Sequence, residues 1–82
     1  MIHVKLLFFA TLRDFMGLRE TEMEIPEGTT VTGLKNLLAQ QFVKAGPTLD
    51  MALVSINKDF AFDQDEIPDG AEIALFPPVS GG

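Results

Sequence analysis

The stretch TVTGLKNLLAQQF, residues 30 to 42, decides the fold. Val31, Leu34, Leu37, Leu38 and Phe42 recur at the spacing of one helical stripe, and Thr30 stands where a side-chain oxygen can cap the first turn. Gly33 within that turn lowers helix propensity by roughly 1 kcal/mol relative to alanine. A single apolar stripe must face a core, and the flanking segments say what that core is. Upstream, HVKLLFFA (His3 to Ala10) is rich in strand formers, with Val4, Leu6 and Phe8 on one parity and His3, Lys5, Leu7 and Phe9 on the other. TLRDFM (Thr11 to Met16) predicts a short helical turn ending at Gly17, and TEMEI (Thr21 to Ile25) predicts a second strand returning antiparallel. Pro26-Glu27-Gly28 marks the turn into the helix.

Downstream, Lys44 to Asp50, with Gly46-Pro47, reads as loop. ALVSI (Ala52 to Ile56) is a third strand, Asn57-Lys58-Asp59 a tight turn, and Phe60 to Phe62 a short fourth strand of undetermined parity. After an acidic loop from Asp63 to Gly70, EIALF (Glu72 to Phe76) places Ile73 and Leu75 inward, and Pro77 ends it because proline cannot donate to a sheet ladder. The order is ββαβββ. One helix on one face of a small mixed sheet is the economical way to bury these stripes, which predicts an α+β roll of the β-grasp kind over residues 1 to 76, followed by an extended tail over 77 to 82. The first and last strands then become parallel neighbours in the middle, joined by a crossover that contains the helix.

A chain of 82 residues fits one domain, burying about 60 to 65% of the surface its unfolded form exposes. With seven Phe and no Cys, Trp or Tyr, its core must be aliphatic and phenylalanine-based, without disulfides or a thiolate metal site. The sequence contains no basic segment leading into a cleavable apolar stretch and no apolar run near the ~18 residues of a membrane span, so a cytoplasmic location is expected. Six Lys plus Arg against twelve Asp plus Glu give a formal charge of -6, which repels phosphate backbones and anionic membranes. Neither nucleic acid nor membrane is an expected partner.

A sheet covered by a helix on one side should be polar on the other, and this one is not. If Val4, Leu6 and Phe8 point to the helix, Phe9 lies on the outer face, and in the last strand Phe76 lies outward too. Two buried aromatics, at ~150 to 250 Å² each and ~25 cal/mol per Å², carry about 7 to 12 kcal/mol of gross desolvation. A loop or the short helix after Ala10 could fold over them; a cluster beside the tail points rather to an interface.

The folded body offers no catalytic constellation. His3 has no second His or Cys to share a metal, and in the run Asp63 to Gly70 Ile67 and Pro68 occupy slots where a calcium loop needs an oxygen ligand and a glycine. Ser55 and Ser80 fall in no nucleophile motif, and no glycine-rich loop suggests a phosphate cradle. The chemistry is expected in FPPVSGG, residues 76 to 82. A terminal carboxylate with a pKa of ~3.3 to 3.7 is an anion at neutral pH and a poor electrophile, so another enzyme must activate it. Gly81 and Gly82 lack Cβ atoms and can pass through a slot too narrow for side chains. Pro77-Pro78 restricts φ and aims the tail outward, and Pro77 to Gly82 spans at most ~20 Å.

These features together resemble the family of molybdopterin synthase small subunits, ubiquitin-like sulfur carriers of molybdenum-cofactor biosynthesis. The resemblance covers the whole chain and rests on LLFFATLRDFMG with Phe8-Phe9-Ala10, Arg13 and Gly17, on the Thr30 helix, on VSIN ending at Asn57 and on DGAEIALFPPVSGG. Ser80 stands where many members have Thr. The resemblance implies that an ATP-dependent activating adenylyltransferase adenylates the Gly82 carboxylate and that sulfur replaces the adenylate, leaving a thiocarboxylate. It implies a large catalytic subunit that holds Pro77, Pro78, Val79, Ser80 and Gly81 in its active site, presents the pterin precursor, and forms a heterotetramer around its own dimer. Two loaded carriers would be consumed per dithiolene. Phe9, Arg13, Phe60 and Phe76 match family positions that contact partners. No metal or directly bound cofactor and no catalytic residue of the chain's own are implied. A thiamin-type sulfur carrier, a ubiquitin-like modifier joining Gly82 to lysines, and a plain binding module remain the alternatives.

Overall fold

The computed structural model describes residues 1–78, which fold as β1 (Ile2–Phe8), α1 (Ala10–Met16), β2 (Glu20–Ile25), α2 (Val31–Gln41), a 3-10 turn (Val43–Ala45), α3 (Gly46–Asp50), β3 (Leu53–Ile56), β4 (Asp59–Ala61) and β5 (Glu72–Phe76). The strands form one mixed sheet in the order β2-β1-β5-β3-β4. β1 and β5 are parallel, and the β1–β2, β3–β5 and β3–β4 pairs are antiparallel. This is the β-grasp topology the sequence predicts, with the first and last strands side by side in the middle.

The inner face follows from strand parity. Val4, Leu6, Ile73 and Leu75 are fully buried, and they meet Val31, Leu34 and Leu38 of α2, each no more than 1% exposed. The start of α2 has its donors satisfied. Thr30 Oγ1 accepts from Gly33 N at 3.2 Å, while carbonyls of the acidic loop take the preceding two, Val31 N donating to Asp65 O and Thr32 N to Asp63 O at 3.0 Å each. A Cβ on residue 33 would lie 3.1 Å from Thr29 Cγ2, so glycine there relieves crowding around the cap at some cost in propensity. α1 ends at Gly17, whose φ of 76° is left-handed and whose N–H closes on Arg13 O at 2.9 Å.

The segment Lys44 to Asp50 is a correction to the sequence reading: a 3-10 turn and then α3, not loop. Pro47 falls in the first turn of α3, where a missing N–H costs nothing, and Gly46 has ordinary helical angles, φ -49° and ψ -55°. Ala45 and Leu49 are fully buried and tie this short helical segment to the core. Smaller shifts occur at strand ends. β1 stops at Phe8 because Ala10, with φ 53°, already begins α1, and β4 runs one residue earlier than expected. Asn57 and Lys58 both have positive φ, 51° and 75°, as a two-residue primed hairpin turn demands. Asn57 also exchanges bonds with β5, its Oδ1 accepting from Glu72 N at 2.9 Å and its N–H reaching Glu72 O at 2.8 Å. No helix among the described residues is long and apolar enough to cross a membrane.

Candidate functional site: the open face of the sheet

The register assembles the outer face row by row. Leu7 of β1 lies beside Ala74 of β5, which lies beside Ser55 of β3, which lies beside Phe60 of β4. One step along, Phe76 pairs with Leu53. Phe9 leaves the end of β1 with its N–H on Leu75 O at 3.2 Å, and its ring stacks on Phe76 with centroids 4.7 Å apart and planes inclined by 11°. Such a pair gains about 0.5 to 1.5 kcal/mol beyond area burial, which pre-orders both rings.

Small Ala74 and Ser55 form the floor of a trough between larger walls. A cleft of about 340 Å³ is lined by Leu7, Phe9, Ser55, Phe60, Ala74 and Phe76, together with Lys58 and Glu72 at its edge. A second, of about 370 Å³, is lined by Phe9, Ala10, Leu53, Phe60, Phe76 and Pro77. Among the described residues neither a loop nor α1 covers this surface: Phe9 is 41% exposed and Phe60 78%. The structure therefore brings Phe9, Phe60 and Phe76 together and places Phe60 outside the core. Arg13 is exposed on α1 and shares a further cavity with Phe9. Pro77 lines the aromatic cleft, so the chain leaves β5 beside it; Val79, Ser80, Gly81 and Gly82 lie outside the described residues.

Sequence reasoning missed three residues. Leu53 and Phe62 are 43% and 71% exposed; Leu53 could have been placed on the outer face from its parity against inward Val54. Lys35, on α2 between Leu34 and Leu38, is a nearly buried cation whose Nζ donates to Asp50 O at 3.3 Å and lies 3.5 Å from Asp63 Oδ1. It links α2 to the end of α3 and to the acidic loop, and no helical periodicity announces such a contact. On the β1–β2 edge, Lys5 Nζ lies 3.1 Å from Glu20 Oε2, and that hydrogen-bonded carboxylate raises the lysine pKa above its ordinary value. Among the described residues no cluster of three or more His, Asp or Glu is arranged to hold a metal ion.

The ThiS family profile matches residues 6–82. The chain is 33% identical to the molybdopterin synthase sulfur carrier subunit of Chlamydomonas reinhardtii over 99% of its own length and 100% of that protein's. Among solved structures it is similar to a putative molybdopterin converting factor subunit 1 from Pyrococcus furiosus, with 28% identity and a TM-score of 0.86 over 96% of this chain and 100% of that one. It is also similar to small archaeal modifier protein 1 of H. volcanii, with 25% identity and a TM-score of 0.82 over the same shares of the two chains.

Proposed function

The chain belongs to the ThiS family, and from that premise we propose that it serves as the sulfur carrier subunit of a molybdopterin synthase, with the Gly82 carboxylate as the sulfur-bearing group. The observation that carries the reading is the continuity of three features: a family match through residue 82, a Pro77-Pro78 exit from β5, and an uncovered aromatic cleft beside that exit.

The chemistry begins with an inert anion. An activating enzyme joins the carboxylate to the α-phosphate of ATP and releases pyrophosphate, giving a mixed anhydride. Sulfur delivered at the sulfide level attacks the acyl carbon, AMP leaves with the bonding pair, and loss of the sulfur's proton leaves a thiocarboxylate. Its sulfur is a soft nucleophile that the oxygen terminus is not. A large catalytic subunit then supplies the pterin precursor and the acid-base groups, and each carrier delivers one sulfur. The chain's own part is to bind and to present. Ordering four tail residues in a partner's channel costs on the order of 4 to 8 kcal/mol, and docking of Phe9, Phe60 and Phe76 is what offsets it.

Intact-mass measurement after incubation with the cognate activating enzyme, ATP and a sulfur donor tests this. The expected result is an oxygen-to-sulfur mass increase at Gly82 that is absent when Gly82 is deleted. The similarity to an archaeal protein named as a modifier favours one rival, attachment of Gly82 to lysines. Conjugates without a thiocarboxylate would establish that rival, and no change of mass would refute both.

A further inference from the structure

The aromatic trough has a cationic end, made of Arg13, which the family resemblance already sets among the partner-contacting positions, and Arg19, which it does not. Arg13 and Arg19 line one cavity of about 230 Å³ together with Leu7, Phe8 and Phe9, and they share a second with Asp14, Gly17 and Leu18. Both are exposed. Their backbones are held: Arg13 O accepts from Gly17 N at 2.9 Å and Arg19 O from Phe8 N at 2.8 Å. The chain carries twelve Asp and Glu side chains against six Lys and Arg, so a free arginine should find an acidic neighbour easily. Among the described residues, however, the ion pairs are His3–Glu22, Lys5–Glu20 and Lys35–Asp63, and neither arginine takes part. Glu20, next to Arg19 in sequence, is engaged by Lys5 instead, and Asp14 shares a cavity with both arginines without pairing to either.

We infer that Arg13 and Arg19 together form a carboxylate socket at the Phe9 end of the docking face, filled by an Asp or Glu side chain of the large subunit. The inference rests on the proposed function and adds the charge that the partner must present. Guanidinium groups suit the role because each offers a planar fork of donors that grips a carboxylate through two parallel bonds. The socket adjoins Phe9, whose ring is held against Phe76, so the apolar contact and the ion contact would be made by one rigid surface. It also gives orientation. The stacked rings alone could be approached in more than one way, whereas a carboxylate placed at the arginine end fixes the rotation of the partner and with it the direction in which Pro77 leads the tail. On a chain of net charge -6, a local basic spot beside the apolar face also steers an acidic partner surface to that face and away from the rest.

The test is the affinity of the full chain for the large subunit from the same organism, measured at low and high salt for the parent, R13Q, R19Q, R19K and F76A. R13Q and R19Q are each expected to weaken binding about tenfold at low salt. The difference from the parent should shrink near 1 M salt, where the screening length is about 3 Å. R19K, which keeps charge and loses the fork, should fall between R19Q and the parent. Melting temperatures should match the parent, since both side chains are exposed. Parent-like binding by R13Q and R19Q while F76A binds weakly would overturn the socket and leave the proposed function standing; so would a loss that salt does not diminish. If F76A also binds like the parent, or the parent does not bind, the docking reading fails and the socket with it.

Discussion

The two faces of the sheet are built from alternate residues of the same strands, and the proposed function puts them to opposite uses. On the inner face, Leu6, Ile73 and Leu75 are fully buried against α2, and their desolvation is spent within the chain. On the outer face, Phe9, Leu53 and Phe60 stand 41%, 43% and 78% exposed around the small floor residues Ala74 and Ser55. Substitutions inside should therefore be read in unfolding free energy, and substitutions outside in binding. A face that holds the protein together cannot also be released to a partner, so under the proposed function the β-grasp divides the two tasks between the parities of its strands.

The division can be broken most severely from inside. Leu34→Ala, at a fully buried site, is expected to lower stability by about 2 to 5 kcal/mol in urea unfolding, from lost transfer energy and the cavity left behind. Phe76→Ala tests the opposite face: affinity for the large subunit should fall by about 2 kcal/mol or more, while stability falls by less than about 2 kcal/mol because the ring is only half-buried. If unfolding experiments show the larger loss, Phe76 belongs with the core. Thr30→Ala removes the cap of α2 and should cost about 1 kcal/mol of stability without altering partner affinity, which would place the helix wholly on the folding side of the division. The smallest effect belongs to Lys5, on the solvent side. Its raised pKa means that pairing with Glu20 contributes fully below the ordinary lysine value of 10.5 and is lost as pH rises through the higher folded value. The stability gap between parent and Lys5→Met should be barely resolvable at neutral pH and vanish in strong alkali; a gap that widens there would contradict the pairing.

Much of this was open to a reader of the bare chain. The 30 to 42 stripe and its Thr30 cap lie where the spacing puts them, as do the inward positions of Val4, Leu6, Phe8, Ile73 and Leu75. The segment 43 to 50 was not readable because eight residues are too few for a periodicity, and Gly46-Pro47 signals a break as readily as a first helical turn. Phe60 was undecided because three residues of strand carry too little alternation to assign a face.

By itself the sequence determined what is written within a few neighbouring residues: the elements, their order, the parity of each strand, and an apolar surplus on the wrong side of the sheet. Tertiary structure alone decided which surplus residues meet. Phe9 and Phe76 are far apart in the chain and stack only because β1 and β5 pair in parallel with Leu7 beside Ala74; a shift of one residue would send one ring to the opposite face. Likewise Arg13 and Arg19 share a cavity only because Gly17 turns α1 back toward β2, and Lys35 is buried only where the end of α3 and the acidic loop close over α2. Alternation is a local property of the backbone, whereas register is settled by all the strands at once.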